Sequence, residues 1–390
     1  MRVVIAPDSF KGTASALEVA VAIADGWLSV RPDDDVRLLP MADGGEGTLE
    51  AFEMAVPGSI RMPVTVRGPD DRAVYAYWLL LPDAPDAPEP PDASAPLAVP
   101  LTAPLAVPGG TAVVELANTS GIALLNPLRP LDAHTFGFGQ AIAAALDHGV
   151  GRLLLAIGGS SSTDGGAGAL RALGARFVDR AGDSIALGNR GLENLAAIDV
   201  TGLRSIPAGG ALVLSDVTNP LLGRFGAASV FGPQKGANTA QVNEMESGLR
   251  NLTRLLPADA ECPGAGAAGG TGFGLLHWGA EIAPGSAAIG AALGVPDAVA
   301  TASVVITGEG RFDSQSAAGK VPAYITGLAN DSGAKALLVA GSIGVQSFGF
   351  AEAVSLTDLA GSPADAMADP RRWLRDAGVV LALRVADDAL

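Results

Sequence analysis

A chain of 390 residues exceeds what one ordinary core encloses, so two domains are expected. Apolar residues make up 48% and charged residues 17%, enough to bury a large interior, and global disorder is not expected. The net charge of −16 argues against a nucleic-acid or anionic-membrane partner, since both need a positive footprint, yet it permits a small anion in a locally positive pocket. The single cysteine, Cys262, excludes an internal disulfide framework and a multi-Cys zinc site, and reads as a small buried hydrophobe. The first residues break at Pro7 and do not form a secretory signal, and no apolar stretch approaches the ~18 residues that span a bilayer. A reducing cytoplasm is the expected compartment.

Along the chain one unit recurs: a short aliphatic run, a Gly/Asp/Ser loop, then a helical pattern. Residues 3–6 lead into Asp8-Ser9-Phe10-Lys11-Gly12. A helix should follow, with Ser15 and Glu18 spaced as a capping box and Leu17, Ala20, Ala24 and Trp27 on one face. Residues 36–39 lead into Met41-Ala42-Asp43-Gly44-Gly45-Glu46-Gly47 and a short helix through Phe52. Residues 60–66 and 73–81 alternate like an antiparallel hairpin around Gly68-Pro69-Asp70. The stretch 82–108 then holds nine of the 27 prolines and writes Pro-Leu-Ala-Val-Pro twice, which predicts an extended surface insert.

A strand is expected over 111–116 and a helix from about Asp132 to His148. Residues 153–157 lead into Gly158-Gly159-Ser160-Ser161-Ser162-Thr163-Asp164-Gly165-Gly166 and a small-residue helix to about Leu173. Residues 212–215 run into Asp216-Val217-Thr218-Asn219-Pro220, and 304–307 into Gly308-Glu309-Gly310-Arg311-Phe312-Asp313 with a helix from about Val321. Residues 337–340 end in Gly341-Ser342. Strands alternating with helices predict a largely parallel sheet covered on both faces, with ligands beyond the carboxyl ends of the strands. The polar loops fall at those ends and should share one cleft.

The chain carries only four lysines against 21 arginines, and three of the four lie in glycine-rich segments: Lys11, Lys235 and Lys320. A compact ammonium enters a tight loop where a planar guanidinium does not, and beside backbone N–H groups it holds phosphate. Two motifs mislead. Gly264-Ala265-Gly266-Ala267-Ala268-Gly269 matches a dinucleotide fingerprint but follows Pro263 instead of a strand, so its glycines should serve close packing or a turn. Gly319-Lys320 lacks the Ser or Thr of a phosphate-binding P-loop, because Val321 follows. His134, His148 and His277 show no metal spacing. What the loops do supply is N–H donors, hydroxyls, ammonium groups and carboxylates, the inventory of phosphoryl transfer. No loop pairs a nucleophile with a histidine, as acyl transfer would require.

Seven segments, Asp8-Ser9-Phe10-Lys11-Gly12, 41–48, 158–168, 216–221, Phe231-Gly232-Pro233-Gln234-Lys235-Gly236-Ala237, 263–270 and 306–320, resemble in that order the bacterial type I glycerate kinases over the whole chain. The resemblance implies transfer of the γ-phosphoryl group of ATP to D-glycerate with Mg²⁺, giving 2-phosphoglycerate in preference to 3-phosphoglycerate. It also implies two α/β domains, one Rossmann-like with a largely parallel sheet, and an active site in the interdomain cleft. Residues 1–58 with 303–390 would form the Rossmann-like domain and 59–302 the second, with the insert at 82–108 where the family has a short loop. Ser161-Ser162-Thr163 replaces the family's more usual Ala-Thr-Asn or Ala-Thr-Thr.

Lys11, Asp216, Asp43 and Lys320 are then the expected catalytic residues, with Asp216 favoured as base and Asp216 and Asp313 as Mg²⁺ ligands. Substrate and phosphate contacts are expected from Asp8, Ser9, Gly44, Gly45 and Glu46. A second group of contacts comprises Gly159, Ser160, Ser161, Thr163, Asp164 and Gly165, aided by the helix N-terminus that follows. Asn219, Lys235, Glu309, Arg311 and Asp313 complete the set. The expected partners are glycerate and ATP, with neither nucleic acid nor membrane, and a homodimer is left open. A kinase of another small hydroxy acid and a non-catalytic glycerate sensor are the competing readings.

Overall fold

A computed structural model of the chain describes residues 1–82, 109–313 and 320–387. The Pro/Ala-rich insert beyond Pro82 therefore lies outside the described residues, as does 314–319. The chain divides into two compact units. The first comprises Met1–Asp43, Glu50–Ala55 and Ser286–Leu390, and the second Gly44–Leu49 and Val56–Gly285. The later boundary falls before 303 because the helix Gly285–Ala292 packs in the first unit: a Cβ on Gly290 would meet the Tyr324 ring at 2.5 Å.

The first unit is built on a five-stranded sheet, all parallel, in the order Glu352–Ser355, Lys335–Ile343, Val304–Phe312, Arg2–Ile5, Asp35–Leu38. Both halves of the chain wind outward from the adjacent pair Arg2–Ile5 and Val304–Phe312, so the strand order reverses between them. The β-branched runs of these two strands pair with register Val3 to Val304 and Ile5 to Ile306, all four buried. Helix Ala16–Val30 starts on the expected Ser15–Glu18 capping box. It buries Ala20, Ala24 and Trp27 as expected, together with Val19, Ile23 and Gly26, but leaves Leu17 exposed. The reason lies far along the chain: helix Pro370–Asp387 packs against it so closely that a Cβ on Gly26 would lie 1.9 Å from the Arg375 carbonyl oxygen. Gly378 answers from the other side, where a Cβ would lie 2.3 Å from the Ile23 carbonyl oxygen.

The second unit holds a mixed six-stranded sheet in the order Glu281–Ala283, Ala211–Leu214, Arg152–Ala156, Thr111–Glu115, Ala73–Leu81, Ile60–Arg67. Its first four strands are parallel and its last two form the antiparallel hairpin read from the alternation at 60–66 and 73–81. A small antiparallel pair, Arg176–Val178 with Ala197–Asp199, stands apart from this sheet. The helix expected from Asp132 begins instead at Phe136. Residues before it turn because the Thr135 backbone N–H donates to Asp164 and not along a helix axis. The central strands Thr111–Glu115 and Arg152–Ala156 are buried along their full length, as parallel strands covered on both faces must be.

Candidate active site

In the first unit the reversal of strand order opens a crevice at the carboxyl ends of Arg2–Ile5 and Val304–Phe312, the place where open α/β sheets bind ligands. Backbone clamps carry the chain into it: Ala6 N–H donates to Ile306 O at 2.8 Å and Asp8 N–H to Gly308 O at 2.8 Å. The Thr307 hydroxyl adds a bond to Ala6 O at 2.9 Å. Asp8 to Lys11 therefore leave the sheet in a fixed direction. A cavity of about 420 Å³ lies there, with Asp8, Lys11, Glu309, Arg311, Asp313 and Lys320 on its charged side. These residues come from opposite ends of the sequence, and the strand pairing brings them together. Ser9 joins them, and its Oγ is buried with no hydrogen-bond partner among the described residues.

Asp8 is the unusual group. It is 4% exposed and, among the described residues, receives one hydrogen bond, from the Ser9 N–H at 2.6 Å. Burial, then the negative charge of Asp43, push its pKa up to about 8, with a smaller push from Glu309. Lys11 and the Ser9 N–H pull the other way without prevailing. The Lys11 ammonium lies 3.4 Å from the Asp43 carboxylate and is half exposed, so it faces the cavity from a loop instead of being locked in a core. Arg311 is exposed and 3.7 Å from the half-buried Asp313. Lys320 occupies the N-cap position of helix Val321–Ser332, and places its charge at the end of that helix which favours anions.

The remaining expected residues belong to the second unit, where internal hydrogen bonds hold much of the 158–168 loop. Asp164 has no accessible surface, and its carboxylate accepts four bonds: Thr135 N–H and Oγ1 at 2.9 Å each, Gly166 N–H and Gly168 N–H at 3.1 Å each. Gly168 lies within helix Ala167–Ala172, and the next N–H, that of Ala169, donates to Thr135 Oγ1. At this helix N-terminus Asp164 and Thr135 therefore accept from the N–H groups of Gly166, Gly168 and Ala169. Lys235 is likewise buried. Its ammonium donates to Ser160 Oγ at 2.8 Å and to the Ser162 carbonyl, and burial depresses its pKa to about 7, with Asp164 opposing. It lies beneath the loop and braces it.

Ser161 donates through its backbone N–H and its Oγ to Ser120 O. The Oγ of Ser162 and the Oγ1 of Thr163 are buried without partners among the described residues. Gly159 and Gly165 have φ of +70° and +64°. Gly44 and Gly45 run tightly over the sheet: Gly44 O accepts from Gly158 N–H at 2.9 Å, and a Cβ on Gly158 would meet Gly45 Cα at 2.5 Å. Glu46 is exposed beside them. Asp216 is half-buried just past strand Ala211–Leu214, and Asn219 Nδ2 donates to Phe225 O at 2.8 Å. The false dinucleotide motif is a packing device, since a Cβ on Gly266 would sit 2.1 Å from Pro220 O and one on Gly272 2.2 Å from Gly264 O.

Sequence reasoning missed the other wall of the first cavity, formed by Leu356, Pro363, Ala366, Met367 and Pro370, because those residues carry no polar signature. It also missed Thr135 and Asn189, which brace the 158–168 loop; the Asn189 Nδ2 donates to the Thr163 carbonyl at 2.8 Å. Among the described residues no group of three or more His, Cys, Asp or Glu side chains is arranged to hold a metal ion. Nor, among them, is any helix long and apolar enough to cross a membrane.

A doubly wound sheet whose switch point gathers two lysines, an arginine and buried carboxylates defines an α/β protein built to handle an anionic ligand. Residues 3–385 match the model of the glycerate kinase family. The chain is 40% identical to a glycerate kinase of Bacillus subtilis over 352 residues, covering 88% of this chain and 85% of that protein. It is 38% identical to the glycerate 2-kinase of Escherichia coli K12, covering 88% and 86%. A crystal structure described as a glycerate kinase 2 from Salmonella typhimurium LT2 superposes with a TM-score of 0.76 at 37% identity, covering both chains fully. The chain belongs to the glycerate kinase family, a family of ATP-dependent kinases.

Proposed function

We propose that this protein transfers the γ-phosphoryl group of ATP to D-glycerate, releasing 2-phosphoglycerate and ADP in the cytoplasm. The observation that carries the reading is the switch-point cavity, where Asp8, Lys11, Arg311 and Lys320 converge from both ends of the chain. Phosphoryl transfer needs cations on the phosphates and a base for the attacking hydroxyl, with little further covalent chemistry. Lys11, Arg311 and Lys320 hold phosphate oxygens. Asp8 takes the hydroxyl proton: its pKa of about 8 lies near a neutral working pH, where a general base is most effective. Asp8 therefore displaces Asp216 as the favoured base, and Asp43 supports it by setting its charge environment.

Mg²⁺ usually binds through one or two carboxylates together with substrate phosphates and water, not in an all-protein cage. The absence of a three-ligand cluster among the described residues fits that mode. Asp313 on the cavity wall is the carboxylate offered to it, and the ion would neutralise charge on the transferring group. Lys235 and Asp164 act as positioning residues that fix the 158–168 loop. The preference for the 2-hydroxyl is supported by the Escherichia coli relative, which is named a glycerate 2-kinase.

Incubation with ATP, Mg²⁺ and D-glycerate, with the product read by ³¹P NMR, tests the proposal. The expected result is stoichiometric ADP and the secondary phosphate ester. Exclusive formation of the primary ester would overturn the product assignment. Turnover of tartronate or another hydroxy acid in place of glycerate would overturn the substrate, and calorimetric glycerate binding without ADP release would overturn the activity.

A further inference from the structure

The switch-point cavity has two chemically different sides. One is charged, as described above. The other is apolar and comes from the segment after strand Glu352–Ser355: Leu356, Pro363, Ala366, Met367 and Pro370. Between them runs a floor of bare backbone. A Cβ on Gly341 would stand 2.3 Å from the Gly310 carbonyl oxygen, and both glycines line the cavity, so nothing rises from the floor to divide it. The hydroxyls on the way are turned aside: Thr13 Oγ1 donates to Phe10 O and Thr357 Oγ1 to Gly341 O, each at 2.8 Å.

Every carbon of glycerate bears oxygen, so an apolar wall gives that substrate nothing and costs its hydroxyls their water. Of the two substrates in the proposed reaction, only the nucleotide has a flat, weakly hydrated part. We infer that the Leu356–Pro370 wall is the subsite for the nucleotide base, with the triphosphate running over Gly341 and Gly310 to Lys11, Arg311 and Lys320. This rests on the ATP-dependent reading above and deepens it: the apolar side and the floor of the cavity are the nucleotide's, while glycerate presents its hydroxyl to Asp8 on the charged side. Met367 closes the subsite at its rim. It is 61% exposed although it sits on the short helix Pro363–Ala368. A flexible thioether at an open edge suits contact with a ring face.

Met367→Glu is the test, since so exposed a position tolerates the change without unfolding. Titration with ADP and with inorganic tripolyphosphate separates base from phosphate binding, because tripolyphosphate has no base. The expected result is about a tenfold weaker ADP affinity (about 1.4 kcal/mol), with tripolyphosphate affinity and the KM for glycerate unchanged. Met367→Leu, which keeps the apolar surface, should restore ADP binding. Equal weakening of ADP and tripolyphosphate, no change in either, or a rise in the glycerate KM alone would overturn the assignment. Failure of the wild-type protein to phosphorylate glycerate would overturn the proposed function instead, while the ADP-to-tripolyphosphate comparison would still decide the base subsite.

Discussion

Asp8 and Asp164 are both buried carboxylates in glycine-rich loops just past parallel strands, and their surroundings differ in one respect that decides their roles. Asp164 is met by four hydrogen-bond donors and has no surface left. Asp8 is met by one, and faces Asp43 and Glu309 besides. A buried anion satisfied by N–H groups is a structural anchor, while one left short of donors and crowded by like charge is held ready to exchange a proton. The lysines repeat the contrast: Lys235 is spent inside its loop, whereas Lys11 stands half exposed at the cavity.

The sharpest way to break this comparison is to remove each carboxylate. Asp8→Asn keeps the shape and the loop but removes the base, and kcat should fall about 10³-fold with the fold intact. A loss below tenfold in a steady-state assay would return the role to Asp216. Asp164→Ala should act in the opposite register, through stability. It orphans several buried donors and should cost about 3 kcal/mol in a denaturant titration, with activity lost only as structure is lost. If the variant is as stable as wild type yet inactive, Asp164 is chemical after all. Lys11→Ala should reduce kcat about 10²-fold, as removal of one preorganised charge does. Its Tm should hardly move, because a half-exposed ion pair such as Lys11–Asp43 contributes little.

Smaller effects lie in the pH dependence. The folded-state pKa of Asp8 is raised from 3.8 to about 8, so its contribution to stability is fully present below about pH 4 and is lost as pH rises through 8. Asp8→Asn removes that loss. The variant's Tm should match wild type near pH 4 and exceed it by about 2–4 °C near pH 9. For Lys235 the sign reverses: its pKa is depressed from 10.5 to about 7, so its contribution is present above 10.5 and is lost as pH falls through 7. Lys235→Met should therefore flatten the acid limb of a Tm–pH profile between pH 9 and 6; an unchanged slope would show that the ammonium is not the titrating group.

Much of this molecule was legible in local pattern. The Ser15–Glu18 capping box, the 60–81 hairpin and the parallel strands followed by polar loops depend on neighbours in sequence, and each formed as read. What failed to show was whatever depends on a distant partner. Leu17 was expected on the buried face, yet the face was chosen by Gly378 and its helix more than 350 residues away. The helix start at Phe136 was displaced by Asp164. The apolar cavity wall left no mark, because Leu, Pro, Ala and Met read alike in a core or beside a ligand.

Residue types and their spacing determined the class of chemistry, since ammonium groups and carboxylates in glycine loops at strand ends suit few reactions other than phosphoryl transfer. Tertiary structure alone decided which of those groups line a cavity and which hold the loops in shape. A carboxylate's task is set by how many donors reach it and how much water remains, and both quantities exist only after strands from opposite ends of the chain have paired.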